Sequence, residues 1–164
     1  MKMRVFKTDG LIAADESIGM RITNKAKSCD IHLHEFIELV YILQGSAVET
    51  IDGETYNVKR GDMLFVNCGA SHSFNADSNF CHEEIYFSPK LVESGVITPE
   101  NAVAMLALVN FDGMRGQRSG GVVTFHGREL LDVEFIIDSM HREYKKGSKT
   151  SKGLLKVMQI SFYL

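Results

Sequence analysis

The sequence predicts a mainly β fold, a small barrel or sandwich, followed by C-terminal α-helices. Three observations carry this. Short runs rich in β-branched and aromatic residues, separated by turn signals, fill the chain to about residue 88. From about residue 89 the apolar spacing changes to a helical period. The chain has 164 residues, 45% of them hydrophobic, with only 2 Pro, which suits one packed domain and not a linker or disordered chain.

Each β element has a local reason. Phe36 to Leu43 (FIELVYIL) suits a pleated, half-buried surface. Val48–Ile51 and Glu54–Val58 flank Asp52-Gly53, a two-residue hairpin signal, because a type I′ turn needs positive φ at both central positions. Lys59-Arg60-Gly61-Asp62 is the next turn, and Met63–Val66 the next strand. Asn67-Cys68-Gly69-Ala70 turns into Ser71–Phe74, and Glu83–Phe87 closes the series. Strands so short and so closely punctuated read as a barrel or sandwich.

In the second half, Thr98-Pro99-Glu100 reads as a helix start running to about Val109. Phe111 to Gly121 is a Gly-rich loop, and Val122 to Phe125 a short strand or extended piece. Arg128 to Lys146 is a stronger helix, with Gly147 as its stop. A third helix starts near Thr150 or Ser151 and carries Leu154, Leu155, Val157, Met158 and Ile160. The sequence breaks off inside this apolar stretch, so the expectation is a fragment of a longer chain. The organisation expected is a barrel over 1–88, a helical and loop extension packed on it over 89–127, and a helix pair over 128–164.

Bulk properties exclude several classes. A net charge of -3 argues against a surface that itself grips nucleic acid. Cys29, Cys68 and Cys81 are scattered and form no CxxC pair, which suggests reduced thiols in a cytoplasmic protein. No apolar run approaches the ~18 residues of a membrane span, and the first residues hold no secretory apolar core.

The chemistry concentrates in HLHEFIELVYILQG, His32 to Gly45. A strand has period two, so over 32–43, taken as one strand, His32, His34 and Glu38 project from one face. Phe36, Val40 and Ile42 continue that face. His72 supplies a further donor. Three imidazoles and one carboxylate suit a divalent transition metal such as zinc, nickel, iron, manganese or copper, and not calcium. The alternative is a polar lining that hydrogen-bonds internally or to a small ligand. On the last β run, His82, Glu84 and Tyr86 share one parity, facing either the cavity or solvent. The basic stretch from His141 to Lys156 reads as a solvated turn between helices or as a contact to DNA in a longer protein. The stripe Leu130, Ile137, Tyr144 with Leu154 and Met158 reads as core packing, as a dimer surface, or as both.

These residues resemble a known family. His32-x-His34-x3-Glu38-x6-Gly45 is similar to the first motif of the cupin superfamily, and Gly61-x5-Asn67-x-Gly69-x2-His72 to the second. Departures fall at Ala26, Asn67 and Ala76, where the motifs have Gly, Pro and Asn. Together with IDGETYNVKRGDMLFVN, GASHSF and EEIYFSPKLV, the chain resembles the N-terminal sensing domain of AraC-type transcriptional regulators. That resemblance implies a cupin-type double-stranded β-helix barrel (a jelly roll) that senses a small-molecule effector. The cupin motifs imply metal ligands at His32, His34, Glu38 and His72, and strand parity adds Phe36, Val40, His82, Glu84 and Tyr86 as further pocket candidates. The AraC-type resemblance also implies a homodimer formed through the helices, and DNA contact only through a separate C-terminal helix-turn-helix domain absent from these residues. No catalysis is expected. The alternative from another class is a small metal-dependent cupin enzyme, a dioxygenase or isomerase, and a stand-alone binding cupin is a third.

Overall fold

The computed structural model describes residues 4–14, 16–88 and 120–145. Among the described residues, ten strands and one helix follow in chain order: β1 Arg4–Phe6, β2 Ile18–Thr23, β3 Cys29–His34, β4 Ile37–Gln44, β5 Ser46–Ile51, β6 Glu54–Lys59, β7 Asp62–Val66, β8 Ser71–Ala76, β9 Cys81–Phe87, β10 Gly120–Thr124 and α1 Gly127–Lys145. They form two five-stranded sheets, ordered β1-β3-β8-β5-β6 and β10-β7-β4-β9-β2. All pairings are antiparallel except β1 with β3. From β3 to β9 every connection but the β5–β6 hairpin crosses from one sheet to the other. That alternation is the jelly roll, a cupin-type double-stranded β-helix, with the helix following it.

The turns form where the residues predict them. Asp52 and Gly53 have φ of 45° and 87°, as a type I′ hairpin requires. Gly45 and Gly61, with φ of 79° and 91°, stand where the chain changes sheets after β4 and β6. At the second corner the Lys59 N–H donates to Asp62 Oδ2 at 2.8 Å.

One expectation is corrected here. Residues 32–43 are not a single strand. The chain bends at Glu35 and Phe36, so β3 and β4 lie in opposite sheets. The Glu35 N–H donates to the Phe6 carbonyl at 3.0 Å, and Phe36, 2% exposed, packs with Ile12 and Tyr86, which anchors the corner. Twelve extended residues would span about 40 Å, far longer than any strand of this barrel.

Strand β7 is buried on both of its faces, which explains its unbroken apolar run MLFV. In the second sheet the odd positions, among them Leu39, Tyr41, Met63, Phe65, Ile85 and Phe87, pack against Val133, Ile136, Ile137 and Met140 of α1. The even positions Ile42, Leu64 and Val66 turn inward onto Ala47, Ile51 and Val58 of the other sheet. The spacing 133, 136, 137, 140 is one face of a helix. Glu129 near its start and Arg142 and Lys145 in its last turn complement the helix dipole. Each large side chain buried here contributes roughly 1.5–3 kcal/mol.

The short strand or extended piece expected over 122–125 forms as β10, and it joins the second sheet as its edge strand instead of only packing on the barrel, paired with β7 from Gly120↔Val66 to Thr124↔Asp62. Of the dimer candidates on α1, Ile137 is 3% exposed and packs on the barrel, and Leu130 and Tyr144 are half-buried against the same cluster, which fits the core-packing side of that expectation. The apolar side chains that α1 exposes are Leu131 at 64% and Phe135 at 57%. Leu154 and Met158, the helix expected at 98–109 and the third helix lie outside the described residues. No helix among the described residues is long and apolar enough to cross a membrane.

Candidate metal centre and ligand cavity

The sheet crossing at Glu35 and Phe36 brings the ligand candidates together. His32 and His34 lie on β3, His72 on β8 and Glu38 on β4. His32 stands opposite His72 in the β3–β8 register, and their rings are 4.2 Å apart. All four residues are buried, between 2% and 7% exposed. One ring nitrogen from each histidine lies within 4.8 Å of the others. His34 Nε2 is 3.0 Å from His72 Nε2, and Glu38 Oε2 is 3.2 Å from the first and 3.5 Å from the second.

The second nitrogen of each ring has its own partner. His32 Nδ1 meets the Asp30 carbonyl at 2.9 Å, and His34 Nδ1 meets the Phe36 carbonyl at 2.9 Å. A carbonyl oxygen only accepts, so both Nδ1 atoms carry the proton. His72 Nδ1 meets Glu49 Oε1 at 2.8 Å, and with the proton placed on this Nδ1 each of the three rings keeps an unprotonated Nε2. Lone pairs facing each other at 3.0 Å repel unless a cation or proton lies between them. For a tetrahedral ion with metal–nitrogen bonds of ~2.05 Å, neighbouring ligand atoms stand about 3.3 Å apart. The 3.0, 3.2 and 3.5 Å among His34, His72 and Glu38 bracket that value, and the ring nitrogens of the three histidines lie within 4.8 Å of one another. The residues therefore fit a divalent transition metal, with Glu49, Asp30 and Phe36 orienting the imidazoles from behind.

Burial dominates the electrostatics of the cluster. Burial lowers His72 to about 4, against the opposing pull of Glu38, so the imidazole is neutral, the form that ligates metals. Burial lowers His32 as well. Burial, reinforced by Glu38, pushes the Glu49 carboxyl well above its usual range.

The cluster stands at one side of a cavity of about 250 Å³. The further pocket candidates Phe36, Val40, His82, Glu84 and Tyr86 all line it. So do Arg21, Thr23, Glu49, Phe74 and Phe80, which parity reasoning over single strands did not select. Glu49 carried a usable signal, as a lone charge between the inward-facing Ala47 and Ile51. Arg21 carried none, because its partner Glu84 lies 63 residues away. Its guanidinium grips Glu84 with two hydrogen bonds, at 2.7 and 2.8 Å. On the other parity of β9, Glu83 is 2% exposed and meets His141 of α1 at 2.8 Å. One strand thus touches the cavity with one face and the helix with the other.

A jelly-roll barrel holding an aromatic and polar cavity beside a cluster of histidines is a domain of cupin type. This chain belongs to the AraC-like ligand binding domain family, whose model matches residues 19–100. Among curated proteins it is similar to the HTH-type transcriptional activator RhaR of Salmonella arizonae and of Salmonella paratyphi B. Each is 26% identical over 65 residues, covering 40% of this chain and 23% of the relative. The chain thus matches under a quarter of those relatives' length. Among solved structures it is similar to a conserved protein from Streptococcus pyogenes, with 24% identity over 52% of this chain and 81% of that one, at TM-score 0.43. It is also similar to an RmlC-like cupin from Shewanella frigidimarina, with 16% identity over 46% of this chain and 69% of that one, at TM-score 0.42.

Proposed function

We propose that this is the effector-sensing domain of an AraC-type cytoplasmic transcriptional regulator, binding a small molecule in the barrel beside a divalent transition metal. In this reading His32, His34, Glu38 and His72 hold the metal, and the metal supplies a Lewis-acidic point of attachment for an oxygen of the effector. The observation that carries the reading is the partly open cavity of about 250 Å³, with the histidine cluster among its lining residues. The family match across residues 19–100 favours a sensor over an enzyme with the same four donors.

Sensing requires that ligand binding favour one arrangement of barrel and helix over another. Strand β9 offers the route, because His82, Glu84 and Tyr86 line the cavity while Glu83, Ile85 and Phe87 contact or pack against α1. The helix would then present that change to a second copy and to a separate DNA-binding domain. The side of α1 open to a second copy carries Leu131 and Phe135.

The deciding experiment is elemental analysis of the purified protein with His34→Ala and His72→Ala in parallel, followed by a ligand screen and turnover assays on the loaded protein. About one metal per chain, lost in both variants, with ligand binding and no turnover, is the expected result. Turnover of a bound compound would move the assignment to the enzyme. A folded protein without metal would leave the histidines as lining for an organic ligand.

A further inference from the structure

The two sheets of the barrel differ on their outer faces. Helix α1 covers that of the second sheet through Val133, Ile136, Ile137 and Met140. The outer face of the first sheet is open. Val5, Ile31 and Val48 stand on it, 47%, 47% and 41% exposed. They are three of the five large apolar side chains exposed among the described residues, the other two being Leu131 and Phe135 of α1.

The pleat sets which side chains occupy this face. Ala47, Glu49 and Ile51 of β5, and His72 and Phe74 of β8, turn inward to the core and the cavity. Their neighbours Ser46, Val48 and Thr50, and Ser71, Ser73 and Asn75, therefore point outward. None of these six is charged. On the flanking strands the outward charges are Asp30, near the start of β3, and Lys59, the last residue of β6.

That composition restricts what the face can dock. Nucleic acid and anionic membrane surfaces are held by clustered Lys and Arg. A charged protein partner is selected by opposite charge. The middle of this face offers neither. A two-fold contact between copies sets a patch against itself, so a carboxylate or ammonium in its middle would meet its own kind. Hydroxyl and amide groups both donate and accept, so Ser, Thr and Asn can bond the same residue types on a second copy. Thr50 and Thr55 show that dual role across β5 and β6, with Oγ1 atoms 3.5 Å apart and either able to donate. Uncharged residues in the middle with charges at the edge match the anatomy of an interface. Five strands ~4.8 Å apart, with about six residues each at ~3.3 Å, make a face of roughly 24 by 20 Å. A contact over all of it buries about 1,000 Å² in total, the lower end for a specific interface, so the association is weak.

We propose that the outer face of the first sheet is a self-association surface, packing on the same face of a second copy about a two-fold axis. It lies across the barrel from α1, so it is separate from any contact made by Leu131 and Phe135, and it does not depend on the sensing reading.

The test is sedimentation velocity from about 5 to 500 µM, a range that covers weak association. The parent is the chain carrying Leu131→Ser and Phe135→Ser, so that α1 contributes no contact. Val48→Lys and Val48→Glu are each added to it. Position 48 is exposed, so both variants should melt within a few degrees of the parent, which reports intact folding. The expected result is a concentration-dependent dimer in the parent, weakened about tenfold or more in each variant. Mixing the two variants in equal amounts should regain it, because opposite charges then face each other. A parent that stays monomeric throughout overturns the proposal. So does a dimer that neither substitution weakens, and so does a mixture that associates no better than either variant alone.

Discussion

Acidification gives the most direct test of the Arg21–Glu84 pair that stiffens the cavity wall. Burial by itself would raise the Glu84 carboxyl. Hydrogen bonds from His82 and Arg21, with their charges, outweigh it and hold the group at about 2, from an ordinary 4.5. A carboxyl depressed in the folded state adds stability above its unfolded pKa, and loses it as the pH falls toward the folded value. A drop of roughly 2.5 pH units, at ~1.4 kcal/mol per unit, corresponds to about 3 kcal/mol at neutral pH. The Arg21 side chain is 53% exposed, so solvent screening trims the contribution to about 2–3 kcal/mol. Glu49 and Glu83 are raised, chiefly by burial, and their contribution has the opposite sign, present in acid and lost as the pH rises. The informative quantity is therefore the difference between wild type and Glu84→Gln, which keeps the shape and removes the titrating group. The chain has no Trp, so urea unfolding is followed by far-ultraviolet circular dichroism at several pH values. The difference should shrink by about 2 kcal/mol between about pH 6 and pH 3. A difference that stays flat over that interval refutes the assignment of the pair.

Other consequences follow from the same contacts. Met140→Ala, at a position 1% exposed between α1 and the second sheet, should cost about 2–5 kcal/mol in urea unfolding. Leu131→Ser and Phe135→Ser should each stay within about 0.5 kcal/mol of wild type in the monomer, while lowering the dimer fraction in sedimentation. Glu49→Gln, behind His72, should weaken metal affinity about 10–100-fold in competition with a chelating dye, while His72 remains in place. An unchanged affinity would remove Glu49 from any orienting role. His141→Ala strands the buried Glu83 carboxyl and should destabilise by about 3–5 kcal/mol, whereas replacing both Glu83 and His141 with Leu should recover most of that loss.

Local chemistry made much of this molecule legible before its structure. Asp52-Gly53 specified a hairpin because positive φ is a property of the turn itself. The helix over 127–145 agrees with the expected 128–146 because its buried stripe repeats at the helical period. On β9, parity alone separated His82, Glu84 and Tyr86 from Ile85 and Phe87. The structure puts the first set on the cavity and the second against the helix. Parity misled only where it was carried across a corner, at Glu35 and Phe36. His34 and Glu38 still meet, because strands in facing sheets point their inner faces at one another.

What the sequence by itself determined is the short-range pattern: which residues form strands, where the turns fall, which face of the helix is apolar, and which donor types stand near His32. Those are properties of periods of two and 3.6 residues and of a few backbone dihedrals, so they lie within a short window of chain. Only the tertiary structure decided that His72 stands across from His32, that Glu49 backs His72, and that Arg21 neutralises Glu84. It also decided that β10 joins β7, and that Glu83 reaches His141 on the helix. These pairs are separated by 23 to 63 residues along the chain, and a side chain's local spacing says nothing about a partner so distant. Strand order and register bring them together, and both follow from how two sheets and a helix bury their apolar faces at once.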